Sequence, residues 1–209
     1  ILICAALWCA KRNIFPIIFT KNDNLFSNLW QDAIDVGADH ILKRPFIINE
    51  SIKIDNLSGG DYFFKNISPK LHKETIKNAN DIPEEFGVIM STWSQLSVKN
   101  SPKTAYIKRV MENRKTAFIG DESHISASMS ATVSQSAAEL RKLAYSVNDT
   151  SATSARHLEN MRSYRNIYPW LKDMGRDINT LPDKYRTWLA EFSVSMAIQN
   201  GCSIRRELD

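Results

Sequence analysis

Cysteine is scarce: three residues in 209, Cys4, Cys9 and Cys202. The number is odd and no C-x-x-C pair occurs, which argues against a disulfide framework or a zinc site and favours a reducing compartment. Glycine is equally thin, with seven scattered residues. The apolar opening run, Ile1–Ala10, is too short to span a bilayer. It also lacks the basic stretch that precedes the core of a secretory signal. Neither internal repeats nor low-complexity segments occur. Charge is not extreme: net +4, with 24% charged and 43% hydrophobic residues. That composition suits a soluble globular protein and only mildly favours an anionic partner.

What is present is an alternation of short apolar runs and amphipathic stretches. Ile1–Ala10 reads as a helix buried on most sides. A chain that opens inside a buried element carries the expectation that further residues belong before Ile1. Phe15–Thr20 has strand length and is rich in Ile and Phe. Asn22 or Asp23 can cap the next helix, where Leu25, Phe26, Leu29, Trp30, Ala33 and Ile34 recur at helical spacing and Gly37 stops it. Between Asp39 and Asn66 only "HILKRPFIIN" suggests a strand. Ser68-Pro69 and Ser101-Pro102 are helix starts. Gly87–Ser91 and Thr116–Gly120 read as strands, "SQSAAELRKLAYS" as a helix, and a short strand-like run precedes Ser151.

Strands alternating with helices predict an α/β fold with a parallel sheet covered by helices. In such sheets ligands bind beyond the carboxyl ends of the strands. Thr20, Thr92, Asp121 and the Ser151–Thr153 segment all lie at predicted carboxyl ends. From about Tyr164 the chain becomes aromatic and mostly helical. There Trp188, Leu189, Phe192, Met196 and Ala197 form one stripe that suits core packing. Residues 1–163 therefore read as one domain and 164–209 as a helical extension.

"TAFIGDESH" (Thr116–His124) places two acids directly after a buried-looking strand. They are either a solvated strand end or a site. An aspartate there can hold Mg²⁺ through waters, and a neighbouring glutamate can orient and deprotonate an attacking water.

The wider pattern bears on this choice. "DESH" followed some thirty residues later by "SAT" resembles superfamily 2 helicases over about Ile1–Arg162, and the strawberry notch-like branch in particular. "FTKNDNLFSNLWQDAIDVG", ending in Asp35-Val36-Gly37, is similar to that branch's segment after its first strand. "GVIMSTWSQLS" resembles its T-Y-S-T-L segment, with Trp93 in place of Tyr. "FIGDESH" resembles its D-E-C-H box, with Ser123 where Cys is common. "AIQNGCSIRREL" resembles a late signature through Gly201, Ile204, Arg206 and Leu208.

The resemblance implies part of a first RecA-like domain of an ATP- and Mg²⁺-dependent helicase or translocase. It makes Asp121 the Mg²⁺ ligand, Glu122 the general base, and His124, Ser151 and Thr153 coupling residues. Thr20, Lys21, Thr92 and Trp93 would contact nucleic acid, DNA in the first instance, and Arg156, Arg162 and Arg165 could track phosphate. The departure is a phosphate loop: no G-x-x-x-x-G-K-[ST] occurs. That loop and a second RecA-like domain are expected outside these residues, and the chain alone is expected to be inactive. No membrane partner is expected. An intracellular site, cytoplasmic or nuclear, is, and richness in Asn, Lys and Ile is compatible with a bacterial, viral or phage origin. The rival readings are a non-catalytic scaffold module of a larger assembly and a Mg²⁺-dependent hydrolase unrelated to ATP.

Overall fold

The computed structural model describes residues 1–49, 53–54, 64–65, 68–123, 126 and 131–150. The predicted helical extension, 164–209, lies outside the described residues, as do His124, Ser151 and Thr153.

The chain alternates helices and strands. In order they are α1 (Leu2–Ala10), β1 (Phe15–Thr20), α2 (Leu25–Asp35), α3 (Asp39–Leu42), β2 (Arg44–Ile47), β3 (Lys53–Ile54) and β4 (Phe64–Lys65). Then come α4 (Pro69–Asn78), β5 (Phe86–Thr92), a 3₁₀ turn (Trp93–Leu96), α5 (Pro102–Asn113), β6 (Thr116–Gly120), α6 (Ala131–Leu143) and β7 (Ser146–Asp149). Five strands form one sheet in the order β2-β5-β1-β6-β7. Every neighbouring pair in it is parallel. β3 and β4 form a separate antiparallel pair.

β1 runs through the middle, and all six of its residues are buried. A strand covered on both faces needs apolar side chains in both directions, which is why "FPIIFT" is continuous and not alternating. Phe15, Ile17 and Phe19 face one core with Phe46, Ile89 and Phe118, closed over by Ile107 and Val110 of α5 and by Val133 and Leu140 of α6. Ile18 faces a second core with Val88, Met90, Ala117 and Ile119, closed over by Ile3, Ala6 and Cys9 of α1 and by Phe26 and Trp30 of α2. Burying each such side chain contributes roughly 1.5–3 kcal/mol. β7, outermost on its side, is only half-buried along its length.

Local chemistry sets the boundaries. Ser68 and Ser101 cap α4 and α5: their hydroxyls accept from the Leu71 and Thr104 amides, and a proline follows each at the first helical position. α2 ends where Gly37 takes φ +64°, a conformation glycine adopts without steric cost. The start of α2 departs from expectation. Its N-cap is Asn24, in helical geometry and without a side-chain cap bond, because Asn22 and Asp23 are used in the turn that leaves β1. The Asn22 carbonyl there accepts from the Thr20 hydroxyl at 2.9 Å.

Candidate functional site

Because the sheet is parallel, the ends of β1, β5, β6 and β7 emerge along one edge. The registers place Phe19 beside Gly120, Thr20 beside Thr92, and Gly120 beside Asp149. Asp121 follows β6 directly and is tied on both sides. Its amide donates to the Phe19 carbonyl at 2.8 Å. Its Oδ1 accepts from the Thr150 hydroxyl at 3.2 Å. Thr150 itself continues the β6–β7 ladder, its amide donating to the Gly120 carbonyl at 2.8 Å. Ser123, fully buried, donates from its amide to the Thr150 carbonyl at 3.0 Å and from its hydroxyl at 3.2 Å. The acidic turn is thus stitched to the residue that immediately precedes Ser151.

Glu122 takes φ +46°. A non-glycine residue in that region is uncommon and persists only where its surroundings impose it. The surroundings lie beneath the turn. The Trp93 indole N–H donates to the Asp121 carbonyl at 2.9 Å. Trp93 is 1% exposed and stacks on Phe19, with ring centroids 5.2 Å apart. Beside it Arg141 of α6, also 1% exposed, grips Asp149 with two bonds, at 2.8 and 3.2 Å. Its guanidinium lies over the Phe118 ring at 4.6 Å. Burial pushes the Asp149 carboxyl above its ordinary value, and the nearby guanidinium only partly offsets this.

Gly120 sits where these groups converge. A Cβ there would lie 2.6 Å from Asp149 Oδ1 and 3.1 Å from the Trp93 ring. Glycine is needed for close approach and not for an unusual φ.

The predicted nucleic-acid contacts separate into inward and outward residues. Lys21 is exposed. Thr20 is fully buried and spends its hydroxyl on Asn22. Thr92 is held by Asn49: its amide donates to Asn49 Oδ1 at 3.2 Å, and its hydroxyl accepts from Asn49 Nδ2 at 3.0 Å. Trp93, which the resemblance makes a nucleic-acid contact, turns its indole toward the core. An aromatic after a strand reads equally as either, and here packing against Phe19 and Phe118 takes it inward.

The chain matches no described protein family, and no curated protein matches it. Geometry and sequence therefore carry the functional reading.

The described residues hold no group of three or more His, Cys, Asp or Glu side chains arranged for a metal. Asp121 with Glu122 is a two-carboxylate set. Two carboxylates are too few for an all-protein cage, so a Mg²⁺ ion at this turn would be held mainly by waters and phosphate oxygens. Among the described residues no helix is long and apolar enough to cross a membrane.

Sequence reasoning missed Thr150, Arg141, Asp149 and Asn49. For Thr150 and Asp149 a signal existed: both are polar and end the last strand, directly before "SAT". Arg141 carried none, because an arginine in "AELRKL" reads as a solvated helix face.

Proposed function

We propose that the chain is part of an ATP-dependent superfamily 2 helicase or translocase of the strawberry notch-like kind, contributing most of its first RecA-like domain. The observation that supports this best is the tie between the acidic turn and the end of β7. Thr150 bonds the Asp121 carboxylate at 3.2 Å, and the segment resembling the coupling motif begins at the next residue. Strands β5, β1, β6 and β7 are neighbours in that order and all parallel, as this reading requires.

In it, Asp121 would hold Mg²⁺, and Glu122 would take a proton from the attacking water. When bound, Mg²⁺ would supply the charge neutralisation that phosphoryl transfer from ATP calls for. The half-buried Glu122 has its main chain fixed in the turn, at φ +46°. His124, Ser151 and Thr153 complete the coupling path. Nucleic acid, DNA in the first instance, crosses the strand-end edge near Lys21, with Arg156, Arg162 and Arg165 tracking phosphate. The phosphate cradle that this reading calls for has no matching motif within these 209 residues, since no G-x-x-x-x-G-K-[ST] occurs in them. The site of action is intracellular.

A second reading draws on one observation. Thr20, Thr92 and Trp93 are turned inward, which suits a scaffold module in a larger assembly that no longer tracks nucleic acid. Oligonucleotide binding by the full polypeptide separates the two. The motor reading expects affinity that falls steeply with salt, through counterion release, and a uniform weakening across sequences in Lys21→Ala. Absence of binding at low salt favours the scaffold.

A further inference from the structure

The acidic turn rests on a buried layer that the hydrolytic reading does not use. Trp93, Gly120, Asp149 and Arg141 meet directly beneath it. We infer that Trp93 is a positioning residue for the Asp121–Glu122 pair, acting through its indole N–H on the Asp121 carbonyl and seated by the Arg141–Asp149 ion pair.

The argument begins with the peptide plane. The Asp121 carbonyl and the Glu122 amide nitrogen belong to one planar unit. A hydrogen bond that fixes the carbonyl therefore fixes the plane from which the Glu122 φ is measured. That φ is +46°, in a sparsely populated region for a side-chain-bearing residue. The bond from Trp93 Nε1, at 2.9 Å, is the side-chain contact on that carbonyl among the described residues. Tryptophan suits the position because it supplies a donor from within an aromatic stack. Phenylalanine would keep the stacking on Phe19 and lose the donor.

Three contacts hold the indole in place. Phe19 stacks on it at 17° between ring planes. The Arg141 guanidinium lies 5.7 Å from the ring centroid, and the Asp149 grip keeps that guanidinium from swinging away. Gly120 is its third close neighbour: even a Cβ there would come within 3.1 Å of the indole and 2.6 Å of Asp149 Oδ1. The same tryptophan follows Thr92, which Asn49 clamps. The end of β5 is thereby tied to the main chain of the acidic pair, across the intervening β1.

Positioning is read on the 209-residue chain itself, without any activity. Hydrogen exchange is compared in the wild type, Trp93→Phe and Val110→Ala. Val110 belongs to the same apolar core but lies on α5, away from Asp121, so its variant reports a general loss of stability. Trp93→Phe should speed exchange of the Asp121 and Ser123 amides about 3- to 10-fold more than exchange across β1, the size expected for one lost hydrogen bond. Val110→Ala should raise both alike. Equal acceleration in the two variants would overturn the inference.

The consequence for turnover rests on the proposed hydrolytic function. In the full polypeptide Trp93→Phe should raise the Mg²⁺ concentration for half-maximal ATP turnover and lower kcat, each about 3- to 10-fold. Wild-type values for both would also overturn it. Glu122→Gln, measured beside it, keeps the two ideas apart. If that variant still turns over ATP, the hydrolytic reading fails whatever Trp93 does. If it is dead while Trp93→Phe is unaffected, only the role of Trp93 fails.

Discussion

The Thr150 hydroxyl donates to Asp121 Oδ1 at 3.2 Å, across the gap between two neighbouring parallel strands. The same hydroxyl lies 3.3 Å from the Gly120 carbonyl, so one small side chain closes the end of the β6–β7 ladder. Thr150→Val keeps the shape and removes the one donor that the two oxygens share. It should cost about 1 kcal/mol in urea unfolding, with a local rise in hydrogen exchange at the acidic turn.

Gly120→Ala should be more damaging than its one added carbon suggests. The new methyl would sit 2.6 Å from the Asp149 carboxylate and 3.1 Å from Trp93, neither of which can move without disturbing Arg141. Overpacking of this kind costs roughly 1–3 kcal/mol. A shift in the urea midpoint, with an unchanged slope, measures it.

The Arg141–Asp149 pair supports a sharper test. Arg141→Met alone strands a buried carboxylate and should cost about 3–5 kcal/mol, whereas Arg141→Met with Asp149→Leu should recover most of that loss. The pH dependence follows from the raised Asp149 carboxyl. A folded state that holds its proton more tightly than the unfolded chain loses stability as pH rises. The wild type should therefore lose stability relative to the double variant from the ordinary aspartate value of about 3.9 upward, levelling off above the folded value. Urea titrations at several pH values give the difference.

The two described cysteines should react very differently. Cys4 is exposed, and Cys9 is buried against the second core. Burial pushes the Cys9 thiol up, which lowers its reactive thiolate fraction. Peptide mapping after brief alkylation of the native chain should find Cys4 modified and Cys9 protected.

Much of this fold was legible in the sequence, because its strongest signals are local. Phe15–Thr20 and Thr116–Gly120 were read with the bounds the strands have, and Gly87–Ser91 lies inside Phe86–Thr92. Central strands in a doubly covered sheet are unbroken apolar runs, and these stand out. Serine-proline pairs gave the starts of α4 and α5 for an equally local reason. The last helix-to-strand step was blurred. "SQSAAELRKLAYS" was read as one helix, but α6 spans Ala131–Leu143 and Ser146 already begins β7. The short α3 went unread because four residues carry no period.

The site was legible only in outline. Asp121 and Glu122 could be picked out because they follow a buried strand. What holds them could not, since Arg141 meets Asp149 and Trp93 meets Asp121 only after the sheet forms. The inward turn of Thr20, Thr92 and Trp93 is likewise a tertiary choice. Each side chain could have served solvent or core, and the partners that decided lay at Asn22, Asn49 and Asp121.

The account stands most directly on Glu122. The deciding measurement is steady-state ATP hydrolysis with Mg²⁺, beside equilibrium ATP binding, for the wild type, Glu122→Gln and Asp121→Asn of the full polypeptide. Glutamine preserves shape and removes the base, so Glu122→Gln should bind ATP nearly as the wild type does and hydrolyse it at least about 100-fold more slowly. Asp121→Asn should weaken Mg²⁺-dependent binding as well. Wild-type turnover in both variants would contradict the account and leave the two acids as a solvated strand end.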